Sequence, residues 1–316
     1  MKKIVSLVLA ALMLAAVFAF AGCNKQAKDD TTLRIAALKG PTGMGMAPLM
    51  DKETYPNYEI SIGSDPSAVT SSFIAGEYDI AAVPVNVAAV LYNKLEGDVV
   101  MLGINTLGVL YVLENGEEIK SMADLSGKTL YATGQGSTPE FVLNYLLEKN
   151  GLTDVTVEYK AEHSELAALM ADGSVTLGMM PEPNVTATMA KNADLRVALD
   201  MTEEWNKVSD TKLVQGVIVA RRSFVTEHET AIKQFMESYG KAVELINTAS
   251  DEACQMIVDA EILPATPIAK AAIPRCNIVF ITGDEMKASV SALYEIFFAA
   301  EPKSVGGKLP AEDLYY

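Results

Sequence analysis

The segment GQGSTPEF (134–141) sets glycines, hydroxyls and a proline in the order that opens a helix. Ser137 or Thr138 suits the N-cap and Pro139 the first turn, so hydroxyls and unpaired backbone N–H groups would gather at a positive helix end. With Gly136 beside them, they form a site for a carboxylate, a sulfonate or another acceptor group. The same residues also suffice as an ordinary cap serving only their own helix. KGPTGMG (39–45) follows an apolar run and offers Lys39 as a cation, Thr42 as a hydroxyl and Gly43 for close backbone approach. Its spacing matches neither G-x-G-x-x-G nor a Walker loop, which counts against nucleotide binding. In AEHS (161–164) and PEPN (181–184), Glu162, His163, Glu182 and Asn184 can meet a ligand's amine or ring N–H, or else form a solvated face. Ser64, Asn86, Asn105 and Thr106 occupy the equivalent places in the first half of the chain. Met44, Met46, Met179 and Met180 are core or an adaptable pocket wall, with core favoured for the last two. Residues able to do chemistry beyond binding are sparse. The two histidines, His163 and His228, lie in unrelated segments, so no metal cluster is readable. The one S-x-x-K, Ser238–Lys241, sits in a helical pattern without partner motifs. No cofactor and no enzymatic activity are expected.

Two segments 97 residues apart explain how these candidates are positioned. Residues 79–94, DIAAVPVNVAAVLYNK, and 176–191, TLGMMPEPNVTATMAK, share their punctuation. In each, an apolar strand is cut by a proline, Pro84 or Pro181, and a helix-like stretch starts near Asn86 or Asn184. At that offset Tyr58–Leu102 overlays Val155–Leu199 without a gap, with six identities in 45 positions. The shared pattern argues more strongly than the identities. Both copies read strand, helix closed by a glycine (Gly76 or Gly173), strand, helix, strand, and Asp65–Pro66 forms an N-cap and N1 pair. A further strand and a Gly-rich turn precede each copy. Apolar strands alternating with short amphipathic helices predict parallel α/β sheets covered on both faces. The expected fold is therefore α/β, with two similar lobes joined by a two-strand hinge. Lobe 1 takes residues 33–109 and 222–316, and lobe 2 takes 110–221. Ligands bind outside the carboxyl ends of strands in open α/β sheets. Each copy should thus supply one wall of an interlobe cleft.

Composition limits the partners. Lys2 and Lys3 precede an uncharged run from Ile4 to Gly22, and Cys23 follows in FAGC. This reads as an export signal over residues 1–22 with lipidation at Cys23 and a polar tether over 23–32; an uncleaved spanning helix is the alternative. Removing a segment with two lysines and no acid takes the formal charge from −16 to −18. So acidic a chain repels phosphate backbones and anionic headgroups, which excludes nucleic acid and leaves acyl chains as its hold on the membrane. Cys254 and Cys276 remain either as a disulfide or as two buried thiols.

SMADLSGKTLYATGQGSTPEFVLNYLLEKNGL (121–152), LRIAALKGPTGMGMAPLM (33–50) and EYDIAAVPVN (77–86) resemble segments of bacterial substrate-binding lipoproteins of the nitrate/sulfonate/taurine and thiamine-precursor type. The resemblance implies a type II periplasmic-binding-protein fold on the outer face of the cell membrane. It also implies a monomer that hands a small polar or anionic organic solute to an ABC importer, whose permease and ATPase are separate chains. A small-molecule enzyme on the same fold and a ligand-sensing subunit without transport are the competing expectations.

Overall fold

The computed structural model describes residues 29–316. The expected signal segment 1–22, Cys23 and tether residues 24–28 lie outside the described residues. From Thr31 the chain is fastened: the Asn57 side-chain amide donates to the Thr31 carbonyl at 2.8 Å. No helix among the described residues is long and apolar enough to cross a membrane.

Among the described residues eleven strands, numbered in chain order, form two sheets. The first holds β1 (Leu33–Leu38), β2 (Tyr58–Gly63), β3 (Ile80–Pro84), β4 (Val100–Thr106), β10 (Gly216–Ala220) and β11 (Ile278–Ile281), in the order β11-β4-β10-β3-β1-β2. The second holds β5 (Leu110–Asn115), β6 (Thr129–Thr133), β7 (Thr156–Lys160), β8 (Leu177–Pro181) and β9 (Leu195–Asp200), in the order β7-β6-β8-β5-β9. The two orders are one pattern. β2-β1-β3-β10-β4 corresponds strand for strand to β7-β6-β8-β5-β9, and β11 extends the first sheet alone.

The 97-residue repeat is visible in three dimensions. Helix Pro66–Ile74 corresponds to His163–Ala171, and β3 ending on Pro84 corresponds to β8 ending on Pro181. Asp65 caps its helix as expected, its carboxylate accepting from the Ser67 N–H at 2.8 Å. Gly76 and Gly173 follow their helices with φ of 78° and 81°, the left-handed turn for which glycine is best suited.

Two expectations are corrected. Neither sheet is purely parallel: β10 runs antiparallel to both β3 and β4, and β5 runs antiparallel to both β8 and β9. In each case the odd strand arrives from the other half of the chain, so no crossover helix turns it back into the parallel direction. The boundary at 221/222 also moves. β10 falls within the span expected for lobe 2, yet its GVIVA run is buried throughout in the middle of the first sheet. A strand apolar on both faces is stable only where both faces are covered.

The core follows from alternation along the strands. In β8, Met179 packs in the large cluster between the halves and Met180 in the cluster under helix His163–Ala171, both fully buried. Met44 and Met46 are core as well. Cys254 and Cys276 are buried free thiols, and the Cys276 sulfur lies 3.9 Å from Met44 Sδ. Tight packing also fixes Gly43, where an added Cβ would fall 2.6 Å from the Leu38 carbonyl oxygen. Gly43→Ala should therefore cost about 1–3 kcal/mol of stability by overpacking against backbone. Urea denaturation reads this directly; an unchanged midpoint would mean that the end of β1 yields to the methyl group.

Candidate functional site

A cleft of about 740 Å³ lies where the carboxyl ends of the two sheets' strands meet. Leu38 and Lys39 end β1, Pro84 ends β3, Tyr159 and Lys160 end β7, and Pro181 ends β8; all line it. The two crossings between sheets add Thr106, Val109, Leu110, Gln215 and Gly216. Because each strand stops at this edge and a helix follows, helix N-termini collect here. Four helices of nine or more residues begin on the cleft: Pro66–Ile74, Val85–Lys94, Thr138–Lys149 and His163–Ala171. Two short ones, Pro41–Met44 and Asn184–Met189, also start there. Their dipoles and unpaired N–H groups bring partial positive charge to the cleft, alongside the carboxylates of Asp65, Glu162 and Glu182. Lys39 and Lys94 add exposed cations.

Of the candidate ligand contacts singled out in the sequence, Lys39, Thr42, Ser64, Asn86, Thr106, Gly136, Ser137, Thr138, Glu162, His163, Glu182 and Asn184 line this one space. Gly43 and Asn105 do not. Gly43 is packed beneath the turn, against Leu38. Asn105 precedes Thr106 in β4, at a point where the register with β10 shifts by one residue. It is fully buried there, with its Oδ1 accepting from the Thr106 hydroxyl at 3.2 Å.

Several of the lining groups are already engaged. Thr138 donates its hydroxyl to Asn86 Oδ1 at 3.0 Å, joining the two halves across the cleft. The Gly136 N–H is accepted by Glu140 at 2.5 Å and the Ser137 N–H by the Gly134 carbonyl at 3.1 Å. At this helix start the Ser137 hydroxyl, which makes no cap bond, is the group left for a ligand. Glu182 is fully buried and accepts from Arg275 Nε at 2.6 Å and from the Thr186 hydroxyl at 2.9 Å. Burial pushes its carboxyl up, and Arg275 and the Thr186 N–H and hydroxyl pull it back only in part. Glu182 therefore answers to Arg275 and not to a ligand's amine. His163 sits with Nδ1 2.7 Å from the Thr133 hydroxyl, and desolvation lowers its pKa to about 4.

Sequence reasoning missed Tyr159, Lys160, Gln135 and Gln215 on the cleft, and Arg275 behind it. The strand-end rule could have found Tyr159 and Lys160, which close VTVEYK immediately before AEHS. Arg275 carries no local signal, because it reaches Glu182 from 93 residues away.

The His163 shift has a definite sign. The unfolded chain takes up a proton near the ordinary value of 6.5, whereas the folded chain waits until about 4. Stability is thus unaffected above that range and falls as pH drops from about 6.5 towards 4, by up to about 3 kcal/mol. Chemical denaturation at a series of pH values should show this loss, and His163→Asn should remove it. An unaltered pH slope in the variant would assign the loss to other groups.

A family model described as menaquinone biosynthesis matches residues 44–297. No curated protein matches the chain in sequence. Among solved structures, an ABC transporter protein from Parabacteroides distasonis superposes with a TM-score of 0.77 at 22% identity, over 90% of this chain and 99% of that one. The periplasmic aliphatic sulphonate-binding protein SsuA of Escherichia coli gives 0.72 at 19% identity, over 90% and 97%. The periplasmic nitrate-binding protein NrtA of Synechocystis gives 0.64 at 12% identity, over 87% and 84%. At such identities the likeness is one of fold, the type II periplasmic-binding-protein fold. Since the family match runs from the first helix to the last long one, the chain belongs to the family described as menaquinone biosynthesis, built on that fold.

Proposed function

We propose that this protein is an extracytoplasmic solute receptor. It takes a small polar or anionic organic molecule into the cleft between its lobes and delivers it to an ABC importer. The observation that carries this reading is the convergence of four full-length helix N-termini on one 740 Å³ space. Such ends hold an acceptor group by N–H donation and dipole without a full positive charge, so the solute can leave again. Lys39 and Lys94 favour a net negative solute. The apolar side chains of Val87, Val90, Val109 and Leu110 suit an organic body. The sulphonate- and nitrate-binding proteins that share the fold support the same class. Cys23 is proposed as the lipid attachment, holding the receptor at the outer face of the membrane.

A second reading, a small-molecule enzyme, has one specific observation in its favour, the biosynthetic description of the family. The cleft offers little for it. His163 is neutral and bonded to Thr133, and Glu182 is neutralised by Arg275.

Calorimetry against a panel of sulfonates, carboxylates and nitrate should find a ligand bound and released unchanged. Mass spectrometry showing it converted would instead establish the enzyme. For a bound anion, Ser137→Ala and Lys39→Ala should each weaken affinity by about tenfold, the scale of one charge-assisted hydrogen bond, with little change in stability. Full affinity in both variants would move the anion away from these two groups. Separately, Cys23→Ser should release the protein from membranes into the soluble fraction. Retention of the variant would favour a spanning segment.

A further inference from the structure

Helix Val85–Lys94 forms one wall of the cleft, and the C-terminal segment grips it from behind along its length. Tyr294 donates its hydroxyl to the Val85 carbonyl at 2.7 Å. The Asn93 amide donates to the carbonyls of Val305 and Lys308, both at 2.8 Å, and the Tyr92 hydroxyl donates to Asp313 at 2.5 Å. Gly306 makes the close fit possible. It sits at φ 82°, and a Cβ there would fall 3.1 Å from the Val90 Cα. Ser304 is held in turn, its hydroxyl donating to the Glu301 carbonyl at 2.6 Å.

From this support a chain of hydrogen bonds crosses the cleft. The Ser304 carbonyl accepts from Asn86 Nδ2 at 3.3 Å, and Asn86 Oδ1 accepts from the Thr138 hydroxyl at 3.0 Å. Ser304, Asn86 and Thr138 are 3%, 2% and 0% exposed, so water does not compete for these groups in this arrangement. The first bond sets the second. With its NH₂ committed to Ser304, the Asn86 amide can present only its oxygen to Thr138. Phe141, one turn along from Thr138, meets Phe297 of the C-terminal helix with ring centroids 5.8 Å apart. The start of helix Thr138–Lys149, which belongs to the second half, thus meets the first half at two points, Thr138 on Asn86 and Phe141 on Phe297.

We propose that Asn86 and Thr138 form the closing clasp of the cleft, and that residues 301–316 act as its positioning element. Their role in capture is to set how far the two halves separate, and not to touch the solute. This rests on the receptor reading for its purpose. The test needs no solute, so failure to find a cargo and failure of the clasp remain distinct.

Spin labels at Glu59→Cys on β2 and Glu158→Cys on β7, the outer strands of the two sheets, report the separation of the halves by pulsed electron resonance. The full chain in a Cys23→Ser background, in detergent, confines labelling to these positions, because Cys254 and Cys276 are buried. The short-distance population should dominate without any solute. Thr138→Val should lower its ratio to the long-distance population about fivefold, the equivalent of one ordinary buried hydrogen bond. Thr138→Ser, which keeps the hydroxyl, should retain it. Asn93→Ala, which loosens the C-terminal segment away from the cleft, should shift the ratio in the same direction as Thr138→Val. A parent protein already open, a Thr138→Val distribution like the parent's, or an equal shift in Thr138→Ser would each overturn the clasp. If Thr138→Val does not fold, Asn93→Ala decides, and a parent-like distribution there overturns the proposal.

Discussion

Each sheet is completed by a strand that arrives from the other half of the chain, and the rest of the architecture depends on that exchange. β5 enters the second sheet after only Leu107–Val109, and β10 enters the first after the return from β9. Both land between two strands of their new sheet, where they pair on both sides and both faces are covered. Neither can be withdrawn without opening a sheet along its middle. The two crossings are therefore fixed where strands are most firmly held, and Thr106, Val109, Leu110, Gln215 and Gly216 beside them line the cleft. A separation of the halves would therefore have to come from bending at these short links, with each sheet kept whole.

The same exchange fixes the electrostatics. Parallel neighbours in each sheet point their carboxyl ends one way, so every following helix opens towards the same edge. A chain of formal charge −16 thereby acquires a pocket lined by partial positive charge. The surface field repels anions at long range. For the anionic solute proposed above, capture would rest on short-range hydrogen bonding inside the cleft rather than on steering.

Much of this was legible in the sequence because the signals are local. A proline after an apolar run ends a strand, and a glycine after a short amphipathic stretch ends a helix. The repetition of both at one interval disclosed two like units. The rule that ligands gather at strand carboxyl ends placed twelve of the candidate contacts on one cleft. What escaped was non-local. The direction of β5 and β10 depends on where the chain comes from, which neither LYVLEN nor GVIVA records. The burial of Asn105 depends on the irregular register between β4 and β10, which the run of β4 alone does not record. Whether Glu182 faces a ligand depends on Arg275, and whether Thr138 does depends on Asn86. Residue type predicts that a group can bond, while only the fold decides with whom.

These engaged pairs also bear on how firmly the halves are held. Breaking a buried ion pair by removing one partner is expensive because the other charge stays buried. Separating the halves is different, since both Glu182 and Arg275 would then meet water. The Arg275 side chain is 38% exposed even in this arrangement, so its hydration is only partly lost to begin with. The net preference for the paired state is accordingly nearer that of a partly exposed ion pair, about 1 kcal/mol, than that of a buried one. The Asn86–Thr138 bond adds a similar amount. Two contacts of that size tilt an equilibrium without locking it. A solute whose contacts span both walls supplies several times as much and can take control of the separation. The Phe141–Phe297 contact and the apolar cluster shared by the two halves add to that tilt by excluding water.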